Sequence, residues 1–199
     1  MSRNNESKPG KKWLEEGYKQ FAFHGPEQLS INNISKEVGA SRASFYYHFG
    51  DMDVFKEELL QMHWRICEDF HRDAQLKCRK LIPDLYNELA KHPIPLQFHL
   101  HLFHNRHIPD FNYLFIRTFE SGAKSFALKL FKSYFDLKLS EAEIYNLWLT
   151  LGEAWYSRLD PNDLSAKTLC RHGEEIMRTV RNFINSELFE TINSTDSNP

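Results

Sequence analysis

The stretch Ser30-Ile-Asn-Asn-Ile-Ser-Lys-Glu-Val-Gly39-Ala-Ser41-Arg-Ala-Ser-Phe45-Tyr-Tyr-His-Phe49, followed by Gly50-Asp-Met-Asp-Val-Phe55, decides the fold. Ile31, Ile34 and Val38 recur at helical spacing, with Ser30 placed as an N-cap. Gly39 stands where a residue of positive φ closes a helix at low cost. Ser41 then caps a second short helix. In it Phe45 and Phe49, four apart, share an inward face. Arg42 sits in the first turn, Ala43 and Tyr47 lie roughly opposite the phenylalanines, and Ser44 and Tyr46 lie on the flanks.

This is the pattern of a helix-turn-helix, in which the second helix lays its N-terminal half in the major groove. Small residues at 43 and 44 let the backbone come near the bases. The Arg42 fork matches guanine O6 and N7, which makes it the base reader. The hydroxyls of Tyr46 and Tyr47, with His48, suit phosphate contacts that fix register without reading sequence. Plainer roles stand beside these: Tyr46 as partial core, His48 as a cap of its own helix, and Ser30 as first of all a cap.

Outward from this stretch the pattern stays helical. Helix 11–24 has Leu14, Tyr18, Phe21 and Ala22 as its stripe and ends at Gly25-Pro26. After the reader, Asp51 caps a long helix towards Cys78. Further helices are expected over 81–92, over 96–106 once Pro93 and Pro95 have broken the chain, over 110–135, from Ser140 to about 158, and from 164 or 165 to 189. No segment alternates apolar and polar residues as a strand would. The expected fold class is therefore all-α, with about nine helices. The expected organisation is a flexible arm over 1–10, a DNA-binding domain over 11–51, a ligand-binding and dimerisation domain over 52–190 and a flexible tail over 191–199.

The 199 residues are 41% hydrophobic and 14% aromatic, with 16 Phe, enough for a substantial core. The net charge is −2, so the surface as a whole is not built for non-specific nucleic-acid binding. Residues 1–50 nevertheless hold 7 Lys/Arg against 5 Asp/Glu, and the remainder 18 against 22, so the positive end is the one with the helix pair. Three widely spaced cysteines, Cys67, Cys78 and Cys170, fit free thiols of a reducing cytosol. There is no apolar run of membrane length and no signal-peptide core, and a cytoplasmic protein is expected.

The segment Trp13 to Leu60 resembles the DNA-binding domain of the TetR family of transcriptional regulators. The resemblance rests on Phe21-x-x-x-Gly25, on Ile31-x-x-Ile34-Ser-x-x-Val38-Gly39-Ala-Ser41, and on Phe45-Tyr46-Tyr47-His48-Phe49. It implies a homodimeric repressor that binds a palindromic double-stranded operator and is released by a small effector. The implied DNA-contacting set is Ser30, Ser41, Arg42, Ala43, Ser44, Tyr46, Tyr47 and His48, with Lys11 and Lys12 in support. One departure stands out: Met52, flanked by Asp51 and Asp53, occupies the position where the family usually carries a phosphate-gripping lysine.

In that family the last two long helices form the dimer interface, here Ile144, Trp148, Leu151, Gly152 and Trp155 with Ile176, Met177, Val180, Phe183 and Ile184. A helical effector cavity is also expected. Its candidate lining is Trp64, Tyr86, Phe98, Phe103, Phe115, Phe119 and Trp155, with Phe111 and Phe126 nearby. Glu120 and Glu153 are candidates to face a cationic ligand. A phenylalanine row at helical spacing is more often plain core, and Glu120 and Glu153 equally fit solvated positions.

Rival chemistries find less support. His99, His101, His104 and His107 have possible metal-ligand spacing, but the segment lies between prolines, and no metal or cofactor is expected. Glu68-x-x-His71 is a single copy of a motif that di-iron proteins need twice. No phosphate loop, dinucleotide fingerprint or nucleophile context is present, so no enzymatic activity is expected. A ligand-independent architectural DNA binder remains an alternative, and a helical metal-binding protein a remote one.

Overall fold

The computed structural model describes residues 10–135 and 139–184, the side chains of 183 and 184 excepted. The arm before Gly10, the tail over 191–199 and the expected interface roles of Phe183 and Ile184 lie outside the described residues. Among those described there is no strand, and the all-α expectation holds.

Helix α1 (Lys11–His24) ends where Gly25, at φ 85°, returns its N–H to Phe21 O. Helix α2 (Ile31–Val38) is closed by Gly39 in the left-handed region, φ 68° and ψ 31°. Helix α3 (Arg42–Phe49) is capped by Ser41, whose Oγ accepts from Ser44 N at 3.3 Å. Helix α4 (Met52–Lys77) begins at Asp51, whose carboxylate accepts from Asp53 N and Val54 N, both at 2.9 Å. At 26 residues α4 is about 39 Å long. Ser30 differs from expectation: its hydroxyl takes no capping bond, and only its carbonyl serves the helix, accepting from Ile34 N.

The later elements are more broken than the sequence suggests. A kinked segment (Leu81–Leu85), with Ile82 in extended conformation, leads into the short α5 (Tyr86–Leu89). Helix α6 (Pro93–His104) starts on its proline, because Pro93 at the first helical position needs no N–H partner. The expected break at Pro93 is therefore a helix start. The expected helix 110–135 is α7 (Pro109–Gly122), a π turn (Ala123–Ala127) and α8 (Leu128–Phe135). Helix α9 (Glu141–Tyr156) opens with a capping box between Ser140 and Glu143, and α10 (Ala166–Ile184) follows.

The chain divides into two compact units, and the division does not follow the expected boundary at 51/52. The first unit holds residues up to 73 together with 92–122, so α6 and α7 belong with the helix-turn-helix. Its core joins Trp13, Phe21, Ile34, Phe45, Phe55 and Leu59 to Phe98, Leu100, Leu102 and Phe115, each at most 2% exposed. Trp13 meets Phe45 edge-on at 5.4 Å, and Phe55 meets Phe45 and Phe49 at 5.1 and 4.8 Å. Gly17 lets α1 approach this cluster: a Cβ there would lie 2.3 Å from Phe55 Cζ.

The second unit holds 74–91 and the residues from 123 on. Within it Leu81, Phe131, Ile144, Trp155, Leu169 and Ile176 are buried. The Trp155 indole N–H donates to Leu169 O at 3.2 Å, and the buried Glu88 carboxylate takes both Lys77 and Lys91.

Candidate nucleic-acid interface

Helix α3 separates its faces sharply. Phe45 is fully buried and Phe49 is 8% exposed, while Tyr46 is 45% and Tyr47 85% exposed. Ser41, Arg42 and Ala43 are exposed, and Ser44 and His48 half-buried. Phe45 and Phe49 face inward, as their spacing suggests. Among the described residues Arg42 makes no hydrogen bond or ion pair. Its fork is therefore free to engage a base edge or a phosphate without first breaking a partner.

The charges around α3 are partly committed. Lys11 pairs with Glu15 at 3.6 Å, while Lys12 is exposed. Asp51 is occupied as the cap of α4, and Asp53 pairs with Lys56 at 3.4 Å. Met52 between them is half-buried. The acidic residues beside the reader thus have structural work, and the cation nearest Met52 in sequence, Lys56, is held by one of them. Sequence reasoning did not single out Lys56; its spacing of three from Asp53 is the signal that finds it.

These features match known proteins. Residues 14–61 match the family model of bacterial regulatory proteins, tetR family. The chain is a DNA-binding transcriptional regulator whose residues 14–61 form a domain of the tetR-family type. The matched segment covers α1 to α3 and the start of α4, so the regulator's DNA-binding domain is the part identified from sequence. The fold of the chain resembles the crystal structure of a transcriptional regulator (TerR/AcrR family) from Aquifex aeolicus VF5, with a TM-score of 0.54 at 15% identity over 85% of this chain and 99% of that one. No curated protein matches the sequence. No helix among the described residues is long and apolar enough to cross a membrane.

The residues expected to line an effector cavity belong to both units. In the first unit Phe98 is fully buried and stacked on Phe21, so it is core. Phe103 lies under the Arg106 guanidinium at 4.2 Å, and Phe115 stacks on Phe119. Glu120 is half-buried. Trp64 alone of the set lines an open cleft of about 290 Å³, with Glu57, Leu60, Gln61, Asp110, Tyr113, Leu114 and Arg117. The Arg117 guanidinium lies 3.8 Å from the Trp64 ring centre. Tyr86 and Trp155, in the second unit, pack on each other at 5.4 Å.

The expected dimer faces are also mixed. Ile144, Leu151, Trp155, Ile176 and Met177 are buried within the single chain, which leaves Trp148, Gly152 and Val180 as half-buried members of α9 and α10. Trp148 meets Phe131 edge-on at 5.6 Å.

The histidines at 99, 101, 104 and 107 do not form one cluster. His99 is buried, and His104 and His107 are exposed. His101 turns to α1, its Nε2–H donating to Ala22 O at 3.1 Å. His99 instead meets His63 of α4, Nδ1 to Nε2 at 3.0 Å. Of the motif pair Glu68 and His71, His71 has its Nδ1 3.3 Å from Ser121 Oγ of α7.

Proposed function

We propose that this regulator is a cytoplasmic, homodimeric repressor that binds a palindromic operator through α3 and is released by a small effector, with no catalytic activity of its own. The observation that carries the reading is α3 itself: a buried phenylalanine face, an exposed face of Ser41, Arg42, Ala43, Tyr46 and Tyr47, and an Arg42 with no partner among the described residues. Arg42 reads a base edge, and Ser41, Ser44, Tyr46, Tyr47 and His48 hold the backbone, with Lys12 and Lys11 adding charge. Two such readers on one frame bind half-sites one turn apart, roughly 34–36 Å, or a multiple of it. Trp148, Gly152 and Val180 are the outward candidates for the dimer contact.

The effector in this reading is a small molecule with an apolar or aromatic body seated beside Trp64, where Arg117 and Asp110 supply polar recognition. It acts by differential affinity for two states of the protein. A footprint on the DNA adjacent to the regulator's own gene tests the proposal. Protection of a palindrome is expected. Protection that ignores sequence would favour the architectural alternative, and addition of an effector that leaves the footprint intact would remove it from consideration as the inducer.

A further inference from the structure

Three ligand-bearing side chains converge inside the first unit. His63 and Cys67 lie one turn apart on α4, and His99 faces them from α6. His63 is fully buried, His99 is 7% exposed, and Cys67 is half-buried. Nε2 of His63 lies 3.0 Å from Nδ1 of His99 and 3.4 Å from Sγ of Cys67. All three ligand atoms fall within 4.8 Å of one another.

In the metal-free protein these groups form a hydrogen-bond chain, Tyr18 O–H to His63 Nδ1 and His63 Nε2–H to His99 Nδ1, with Cys67 Sγ as a weak third centre on the same nitrogen. The same arrangement suits metal coordination, which would use all three ligand atoms at once. Tetrahedral zinc, with nitrogen at about 2.0–2.1 Å and sulfur at about 2.3 Å, separates two nitrogen ligands by about 3.3 Å and a nitrogen–sulfur pair by about 3.6 Å. The two spacings at His63 lie within a few tenths of an ångström of those edges, and the His99–Cys67 edge is at most 4.8 Å.

The surroundings fit the same role. The Tyr18 hydroxyl of α1 lies 2.7 Å from Nδ1 of His63, so with Nε2 on a metal the Nδ1–H donates to Tyr18 and fixes the tautomer. Phe98 stacks on His63 at 4.4 Å and Phe115 on His99 at 5.0 Å, which holds both imidazoles in plane. Cys67 is the half-buried member and marks the side of entry.

We propose that His63, Cys67 and His99 form a zinc site with a fourth position for water, and that Tyr18 transmits its occupancy to α1. The ligand set mixes imidazole with thiolate, which suits zinc over magnesium or calcium. The site uses none of the residues lining the Trp64 cleft and is a separate input. Its regulatory part rests on the operator-binding reading; metal binding itself does not.

The test uses full-length protein without a His-tag, stripped with chelator and titrated with zinc and with cobalt(II). One zinc per chain is expected, and a tetrahedral cobalt spectrum with a thiolate charge-transfer band. Cys67→Ser should lose that band and Tyr18→Phe should weaken zinc binding by about tenfold or more, while the exposed-residue control His104→Ala should change neither. Operator affinity should change about tenfold with zinc in the wild type and stay constant in Cys67→Ser. Absence of stoichiometric zinc, tight copper(I) binding in place of zinc, or a cobalt spectrum unaltered in Cys67→Ser would overturn the site. Zinc bound with operator affinity unchanged would overturn the role of Tyr18. If the metal-free protein binds no operator, the cobalt spectrum still decides the site.

Discussion

The ring of Phe98 lies flat on that of Phe21, centroids 3.9 Å apart and planes 16° from parallel. One belongs to α6 and the other to α1, and Tyr18 of α1 also stacks on Phe98, at 4.6 Å. His101, one turn on, donates to Ala22 O. Helix α6 is thus part of the structure that holds the reader, which explains why the compact first unit takes in 92–122.

Phe98→Ala removes a fully buried ring from this stack. A loss of about 3–5 kcal/mol in unfolding free energy is expected, the range for truncating a buried phenylalanine. Urea unfolding followed by circular dichroism measures it. A loss under 1 kcal/mol would mean that α1 and α6 are not packed as described.

At Gly17 the backbone of α1 lies against the Phe55 ring of α4. Gly17→Ala places a Cβ 2.3 Å from the Phe55 ring, which is itself fully buried and has little room to move. The helix-propensity gain of about 1 kcal/mol is outweighed by overpacking, and a net destabilisation of about 1–2 kcal/mol is expected. Thermal unfolding of the variant reads the sign, and a raised Tm would refute the close approach.

Met52→Lys adds a cation beside α3, at a half-buried position one residue from the α4 cap. Stronger operator binding is expected, with the slope of log affinity against log salt steepened by about one unit. Fluorescence anisotropy across a salt series measures both. An unchanged slope would show that the position does not reach phosphate.

Burial pushes the His71 imidazole down to about 4. Its unfolded pKa of about 6.5 is higher, so below that value the unfolded chain takes up a proton that the folded one refuses. The stability contribution is therefore whole above pH 6.5 and is lost as pH falls towards 4. His71→Gln should flatten the fall in Tm between these values relative to wild type, measured with chelator present. An identical pH profile would count against the burial of His71.

The helix-turn-helix is legible in the sequence because its signals are local. Gly39 closes α2, Ser41 and Asp51 cap α3 and α4, and Phe45 and Phe49 alternate with Arg42, Tyr46 and Tyr47 at helical spacing. The π turn at 123–127 is not legible, since its residues keep the pattern of an ordinary helix, whereas the kink at 81–85 is signalled by Pro83, which the expected helix over 81–92 passes over. Pro93 misleads because a proline that breaks a helix interior also begins a helix well. The His63–Cys67–His99 convergence joins positions 36 residues apart. The run of histidines from 99 to 107 draws the eye along the chain, whereas the partner of His99 lies across it on α4.

The central claim is that α3 reads DNA sequence through Arg42. The most direct measurement is a selection from random duplexes with the purified protein and with Arg42→Ala. The account predicts enrichment of one palindromic sequence by the wild type, with the variant weaker by about 1–3 kcal/mol on that site and indifferent at one base pair of each half-site. No enrichment by the wild type, or the same enriched sequence and affinity for the variant, would contradict it.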